Sequence, residues 1–150
     1  MKKELNNYMK IYLDNCSFNR PFDDQTQLKV NLESQAKLFI QKQITLKEYD
    51  LVWSFILEYE NAQNPYEIRR NTILKWRDLA TVKIYSNEEI IKYAEGLNKI
   101  GVKTKDALHV ACAVYSNSEY FITTDKKLLN LKLNDIKICS PIEFINDMEG

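Results

Sequence analysis

Short runs rich in β-branched and aromatic residues alternate with longer helical segments along the chain, and this alternation constrains the fold more than any other feature. Strands separated by helices indicate a parallel sheet covered by helices on both faces. We therefore predict an α/β fold, a three-layer α/β/α arrangement around a central, mostly parallel sheet of about five strands. The predicted strands are 10–15, 50–54, 81–85, 120–124 and 136–139. The predicted helices are 25–43, 55–62, 65–79, 87–99, 104–117, 126–132 and one that begins at 141.

Length and composition indicate a single domain. The chain has 150 residues, of which 45% are hydrophobic, and this is enough for one ordinary core. Three glycines and three prolines leave no room for a flexible linker, and no internal repeat is present. We therefore expect one domain over residues 1–150.

Targeting signals and cysteine usage favour a cytoplasmic protein. The segment Met1–Tyr8 lacks the apolar core of a signal peptide, and no apolar run approaches the ~20 residues of a membrane span. Cys16, Cys112 and Cys139 are odd in number and lack Cys-x-x-Cys spacing, which disfavours a disulfide framework or a zinc site. We expect reduced, mostly buried thiols, a cytoplasmic location and no membrane partner.

The charge balance excludes a strong overall attraction to nucleic acid, because 21 basic and 21 acidic residues cancel. Any binding to a polyanion must therefore depend on local groups. Two lysine pairs lie next to acidic residues, and they are candidates for contacts with substrate phosphates, although such runs also occur on ordinary solvated faces. These lysines are Lys103, Lys105, Lys126 and Lys127.

Two predicted strands end in an acidic residue. The apolar run Ile11–Leu13 is followed by Asp14, and the run Tyr120–Thr124 is followed by Asp125. Parallel strands present their carboxyl ends at the same edge of a sheet, where ligands bind at the point of strand-order reversal. We therefore expect Asp14 and Asp125 to lie near each other.

Asp106 lies in the first turn of a helix that is apolar nearly all round, with Thr104 placed to cap it. The helix dipole alone explains an acid there, at ~0.3–1 kcal/mol. The other acids make Asp106 a candidate metal ligand as well. His109, one turn later, is either a ligand or base, or a packed, hydrogen-bonded core residue, and the second interpretation is preferred. A thiol nucleophile formed by Cys16 and His109 is disfavoured, because no pattern places them together.

A further acid is expected after the second strand, where Glu58 and Glu60 compete. Two residues along a helix correspond to about 200° of rotation, so only one of them can face the end of the sheet.

Taken together, three segments resemble the PIN-domain family, which includes toxins of toxin–antitoxin pairs. They are Tyr12–Asp24 (YLDNCSFNRPFDD), Lys105–Ala111 (KDALHVA) and the closing Thr123–Asp125 (TTD). Matching Ser54 to the serine that precedes the family's glutamate places that glutamate at Glu60, with Glu58 as the alternative. The similarity spans nearly the whole chain.

The resemblance implies a ribonuclease that depends on Mg²⁺ or Mn²⁺ and hydrolyses phosphodiester bonds of RNA. It also implies a homodimer and an antitoxin protein as partners. The catalytic and metal-binding acids would be Asp14, Glu60, Asp106 and Asp125. Thr123 matches a supporting hydroxyl position, and Asn15 adjoins the first acid. Lys103, Lys105, Lys126 and Lys127 would contact substrate phosphates.

Electrostatics gives an independent reason to expect a cation. Two carboxylates ~4 Å apart repel by about 4 kcal/mol at an effective dielectric of 20, against a total stability of ~5–15 kcal/mol. Four clustered acids must therefore hold a proton or bind a cation. Oxygen ligands select Mg²⁺ or Mn²⁺, whereas zinc would favour His or Cys.

Other functions of a similar sheet fit less well. In a phosphotransfer receiver, Asp23 and Asp24 would lie too far past the first strand. A haloacid-dehalogenase type of phosphatase needs Asp-x-Asp, and here Asn15 and Cys16 follow Asp14. A non-catalytic PIN-like module that binds RNA or a protein remains open, and so does housekeeping RNA processing rather than a toxin role.

Overall fold

A computed structural model describes residues 8–150. Its core is one five-stranded sheet with the order β3-β2-β1-β4-β5, in which every neighbouring pair is parallel. The predicted fold class is therefore confirmed. Most of the Met1–Tyr8 segment, on which the signal-peptide prediction depends, lies outside the described residues. The strands are β1 Met9–Leu13, β2 Tyr49–Ser54, β3 Val82–Ile84, β4 Tyr120–Ile122 and β5 Lys137–Cys139.

Eight α-helices accompany the strands in the described part of the chain. All the predicted helices are present, with ends that differ by a few residues. The sequence prediction missed α1 and the 3-10 turn Arg20–Phe22 that follows it. The helices are α1 Asn15–Asn19, α2 Leu28–Thr45, α3 Phe55–Ala62, α4 Glu67–Leu79, α5 Glu88–Lys99, α6 Thr104–Tyr115, α7 Lys126–Leu129 and α8 Pro141–Glu149.

Helices cover both faces of the sheet. On one face, Phe144 of α8 packs edge-on against Tyr49 of β2 and Tyr120 of β4. On the other, Tyr12 of β1 stacks on Phe121 and meets α6. The last three residues of β1 are fully buried, as expected for a central strand covered on both sides.

Side-chain caps begin several of the helices. Ser54 accepts a hydrogen bond from the Leu57 amide at the start of α3, and Ser140 forms a capping box with Glu143 in α8. The prediction that Thr104 caps α6 is wrong, because Lys103 occupies the cap position and Thr104 is the first helical residue. Thr104 therefore lies one residue too far along the chain to cap the helix.

Two of the three cysteines are buried, as the sequence predicted for most of them. Cys112 and Cys139 are buried, Cys16 lies at the surface, and all three are free thiols. Among residues 8–150, no helix combines the length and the apolar character needed to cross a bilayer.

Candidate functional site

The candidate site lies where the strand order reverses, between β1 and β4. The chain leaves β1 at Asp14, whose amide donates to the Ile122 carbonyl at the end of β4 (3.3 Å). The Ser17 hydroxyl donates to the same carbonyl (3.0 Å). These bonds hold the start of α1 against the end of β4, so the first and last predicted acids emerge at the same edge of the sheet.

Asp14 is the most buried of the four predicted acids, with 3% exposure. Its Oδ1 accepts a hydrogen bond from the Ser17 amide (3.0 Å), which caps α1, and its Oδ2 accepts one from the Thr123 hydroxyl (2.6 Å). Burial raises the pKa of Asp14 above its usual value, while nearby His109 and these hydrogen bonds act in the opposite direction. The carboxyl group is therefore costly to keep ionised without further compensation.

Thr123 connects the first predicted acid to the last. Its hydroxyl donates to Asp14 Oδ2 and accepts from the Asp125 amide (3.0 Å). Asp125 Oδ1 in turn accepts from the Lys127 amide (2.8 Å) and caps α7. The threonine thus fixes the relative positions of two carboxylates, as expected for a supporting hydroxyl.

The structure separates the two candidate glutamates after β2. Glu60 Oε1 lies 2.6 Å from His109 Nε2. Glu58 instead accepts hydrogen bonds from Trp53 Nε1 (3.0 Å) and Arg77 Nη1 (3.1 Å). Glu60, and not Glu58, is also the glutamate whose charge acts on Asp106 and Cys16, while Glu58 faces a different part of the sheet edge.

His109 is buried and hydrogen-bonded through both ring nitrogens, so its interpretation as a packed core residue is confirmed. Its Nδ1 lies 2.6 Å from the Tyr12 hydroxyl, which lies 2.6 Å from Ser54 Oγ. One arrangement of protons satisfies the whole chain of bonds: Leu57 N–H donates to Ser54, Ser54 to Tyr12, Tyr12 to Nδ1, and Nε2–H to Glu60. These bonds connect the Leu57 amide, in the first turn of α3, to the carboxylate of Glu60.

All four predicted acids influence the pKa of Cys16. Desolvation of its thiol and the negative charges of all four raise the pKa of Cys16 to about 12. The acids concerned are Asp14, Asp125, Asp106 and Glu60. A thiol with so high a pKa stays protonated at neutral pH, which argues against a thiolate nucleophile at this position.

Asp106 shares the same electrostatic environment. It is half-buried in the first turn of α6, and burial is the main cause of its raised pKa. The negative charges of Asp125 and Glu60 raise the pKa further, and Lys103 and His109 lower it. Two of the four acids, Asp14 and Asp106, therefore have an increased tendency to hold a proton, chiefly because they are desolvated.

The carboxylates do not form a closed coordination shell in this conformation. Within residues 8–150, no three side chains of His, Cys, Asp or Glu are close enough together to hold a metal ion. Three of the acids instead accept hydrogen bonds, Asp14 from Ser17 and Thr123, Asp125 from Lys127, and Glu60 from His109. The donor set itself, four carboxylates with oxygens only, fits a hard divalent cation such as Mg²⁺ or Mn²⁺.

The four predicted lysines lie in different positions. Lys103 and Lys127 line a cavity of about 220 Å³ together with Asp106. The Lys105 ammonium lies 5.6 Å from the ring centre of Tyr59. The Lys126 side chain makes no hydrogen bond or ion pair with the described residues, while its backbone carbonyl accepts from the Asn130 amide (3.1 Å). Two of the four thus share a cavity with Asp106.

Asn15 lies at the first position of α1, beside Asp14 in sequence. Its backbone and side-chain oxygens accept hydrogen bonds from the Asn19 amide group (2.9 and 3.1 Å). The side chain is therefore engaged along α1, and among the described residues it makes no hydrogen bond to the four acids.

Sequence reasoning did not identify Lys37, which is fully buried on α2. Its ammonium lies 4.5 Å from the ring centre of Phe18. With the side-chain amide of Gln41 oriented to accept, its oxygen lies 2.7 Å from Lys37 Nζ. Burial lowers the pKa of Lys37 to about 7, and the nearby charge of Asp14 acts in the opposite direction. No sequence signal marks this lysine, because its neighbours in the helix include other lysines that are exposed.

Comparison with known proteins finds similarity at the level of the fold. No protein-family model matches the chain. No protein of curated function matches it either. One similar structure is a chain of VapBC2 from Rickettsia felis, from a crystal structure in which VapBC2 is bound to a fragment of its promoter DNA. That chain superposes on this protein with a TM-score of 0.54. The match covers 87% of this chain and 97% of that chain, at 13% sequence identity.

The likeness is one of fold. At so low an identity it supports the α/β architecture and its strand order, and it does not extend to particular residues. Roles for the residues of the acid cluster therefore depend on the chemistry of this chain alone.

Proposed function

We propose that this protein is a ribonuclease that depends on Mg²⁺ or Mn²⁺ and uses Asp14, Glu60, Asp106 and Asp125. The observation that carries the proposal is the hydrogen-bonded link from Asp14 through the Thr123 hydroxyl to the Asp125 amide at the carboxyl edge of a parallel sheet, with the charges of all four acids acting on Cys16. Two of them, Asp14 and Asp106, have pKa values raised chiefly by burial, so a bound cation would offset the cost of keeping these carboxylates ionised.

The four acids would hold the cation, directly or through water. When bound, a divalent cation supplies Lewis-acid polarisation of the phosphodiester and makes water easier to deprotonate. Ser17 and Thr123 orient Asp14, and His109 orients Glu60, so the oxygens of both acids are held in place. Glu60 would orient the attacking water and accept its proton.

Lysines at the rim would bind the RNA backbone. Lys103 and Lys127 border the cavity that contains Asp106, where they would neutralise phosphates next to the cleaved bond. Lys105, above Tyr59, and Lys126 would contact phosphates farther along the strand.

The biological setting that we propose is a toxin of a toxin–antitoxin pair, acting in the cytoplasm as a homodimer and inhibited by an antitoxin protein. The structural likeness to a chain of VapBC2 supports the toxin–antitoxin part of this proposal.

A second candidate function is a non-catalytic module that binds RNA or a protein. The observation in its favour is that no group of three potential ligands in residues 8–150 is close enough to hold a metal ion. Binding of RNA without metal-dependent cuts would favour this alternative.

The test is cleavage of total cellular RNA with Mn²⁺, followed by mapping of the new ends. We expect Asp14→Asn and Asp106→Asn to abolish cleavage, because each removes a carboxylate from the cluster. Asp78→Asn is the matched control, since Asp78 lies on α4 and its side chain is exposed. Cleavage retained by either site variant after purification would refute the assignment.

A further inference from the structure

A second cavity opens at the same edge of the sheet, at the carboxyl ends of β2 and β3. Its volume is about 210 Å³. Its lining combines aromatic and aliphatic side chains with two cations and one anion. The lining residues are Trp53, Ser54, Phe55, Glu58, Arg77, Lys83, Ile84 and Tyr85.

Tyr85 is the most unusual member of this lining. It directly follows β3 and is 74% exposed, although it is a large aromatic side chain beside an apolar cavity. Phe55 at the start of α3 is only partly buried. Two aromatic side chains are therefore available to stack on a planar group that enters the cavity.

The polar groups of the cavity are held in place. Glu58 accepts hydrogen bonds from Trp53 Nε1 and Arg77 Nη1, so its negative charge is paired within the lining. Lys83 forms no ion pair among the described residues and is exposed at the rim. The remaining positive charge suits an anionic ligand with a flat ring better than an apolar peptide side chain.

Ser54 connects this cavity with the acid cluster. It lines the cavity, and its hydroxyl also lies 2.6 Å from Tyr12, which leads through His109 to Glu60. In the strand order β2 lies beside β1 and β3 lies beyond β2, so the cavity is on the same sheet edge as Asp14, at the end of β1.

We infer that this cavity is a subsite for an unpaired nucleobase that flanks the cleaved phosphodiester, with Tyr85 and Phe55 stacking on the base and Lys83 contacting its phosphate. The inference rests on the proposed ribonuclease function for the identity of its ligand. Single-stranded RNA is commonly bound in this way, by aromatic platforms beside basic side chains.

The direct test is the affinity of the full chain for a fluorescent single-stranded RNA octamer in EDTA, where no metal-dependent cleavage takes place. We expect Tyr85→Ala to weaken binding about tenfold, as for loss of one stacked base, and Tyr85→Phe to keep it. Tyr115→Ala is the matched control, because Tyr115 is an exposed tyrosine at the end of α6. Thermal melting checks that the variants fold.

A second measurement locates the base. A set of octamers is used in which the missing base lies at a different position in each. For one position only, the missing base should weaken binding to the wild type about tenfold. The same octamer should bind Tyr85→Ala as well as the intact octamer does. Binding by Tyr85→Ala within twofold of the wild type would overturn the subsite, and so would a wild type that binds no RNA.

The subsite and the ribonuclease proposal fail in different experiments. If the wild type cleaves RNA and Tyr85→Ala has the same KM, the subsite is refuted and the ribonuclease proposal stands. Weakened RNA binding by Tyr85→Ala in a protein that never cleaves would support the subsite within a non-catalytic RNA-binding module. Intact RNA binding with weakened binding of a protein partner would assign the cavity to that partner and refute the subsite.

Discussion

At the residue scale, the polar groups behind the acid cluster depend closely on one another. The Tyr12 hydroxyl joins His109 to Ser54, and all three side chains are buried. Each member satisfies a polar atom of its neighbour, and a buried polar atom without a partner is expensive. The network also orients Glu60 through His109. Loss of the network should therefore lower the stability of the protein and disturb the position of Glu60.

Removing only the hydroxyl of this network should be costly. We expect Tyr12→Phe to lower the free energy of unfolding by about 1–3 kcal/mol, because His109 Nδ1 and Ser54 would lose a buried partner. Tyr93→Phe is the control, since its hydroxyl bonds to Asp135 at an exposed position and should matter less. Urea unfolding of both variants measures the difference, and equal effects would contradict the network.

Removing the charge of Asp14 should not lower the free energy of unfolding, in contrast to removing the Tyr12 hydroxyl. Burial raises its pKa, so the folded state binds a proton more tightly than the unfolded state and stability falls as pH rises from about 3.8 through the folded pKa. Asp14→Asn should therefore be as stable as the wild type, or more stable, at pH 7 in EDTA. It should also lack this part of the pH dependence.

Urea unfolding between pH 4 and pH 7 measures both effects. Asp78→Asn, at an exposed position, should follow the wild type throughout. A loss of stability at pH 7 in Asp14→Asn would show that its capping and Thr123 bonds outweigh the cost of burying the charge.

At the scale of elements, α2 carries a buried charge against α1. Lys37 lies next to Phe18 of α1 and near Asp14, so the helix that supports the site is itself sensitive to pH. A buried ammonium group is costly unless it is paired or loses its proton. The pKa of about 7 places that change close to neutrality.

The pH dependence of stability should reveal this lysine. Because its folded pKa is lowered, the unfolded state binds more protons between pH 7 and about 10.4, and stability should rise with pH by up to about 1.4 kcal/mol per unit. Lys37→Met should flatten that rise and increase stability at pH 7. Lys42→Met, on the same helix but exposed, should keep the slope. Denaturant unfolding at pH 7, 8 and 9 distinguishes the two variants, and an unchanged slope in Lys37→Met would contradict the prediction.

At the scale of the whole molecule, cation binding should stabilise the fold. A ligand that binds only the folded state adds about 2.7 kcal/mol at a hundred times its dissociation constant. We expect Mn²⁺ to raise the melting temperature of the wild type and to have little effect on Asp106→Asn. Thermal melting with and without Mn²⁺ tests this, and identical curves for the wild type would count against a cation site.

The alternation of strands and helices, and the acids at strand ends, could be predicted because they depend on local patterns. A run such as Ile11–Leu13 is apolar wherever it lies, and in a parallel sheet its carboxyl end must meet that of Tyr120–Ile122. The short helix α1 was missed because it depends on a single cap, from Asp14 to the Ser17 amide. So brief a helix leaves no periodic pattern to detect.

By itself, the sequence determined the fold class, the single parallel sheet and the edge at which the acids emerge, since hydrophobic periodicity and strand direction impose them. Only the tertiary structure decided that Glu60 rather than Glu58 faces the cluster, that Tyr12 joins His109 to Ser54, and that Lys37 is buried. These features depend on helix rotation and on contacts between residues far apart, such as Tyr12 and His109 at a separation of 97 positions. Such contacts exist only once the packed sheet and helices have brought the distant segments together.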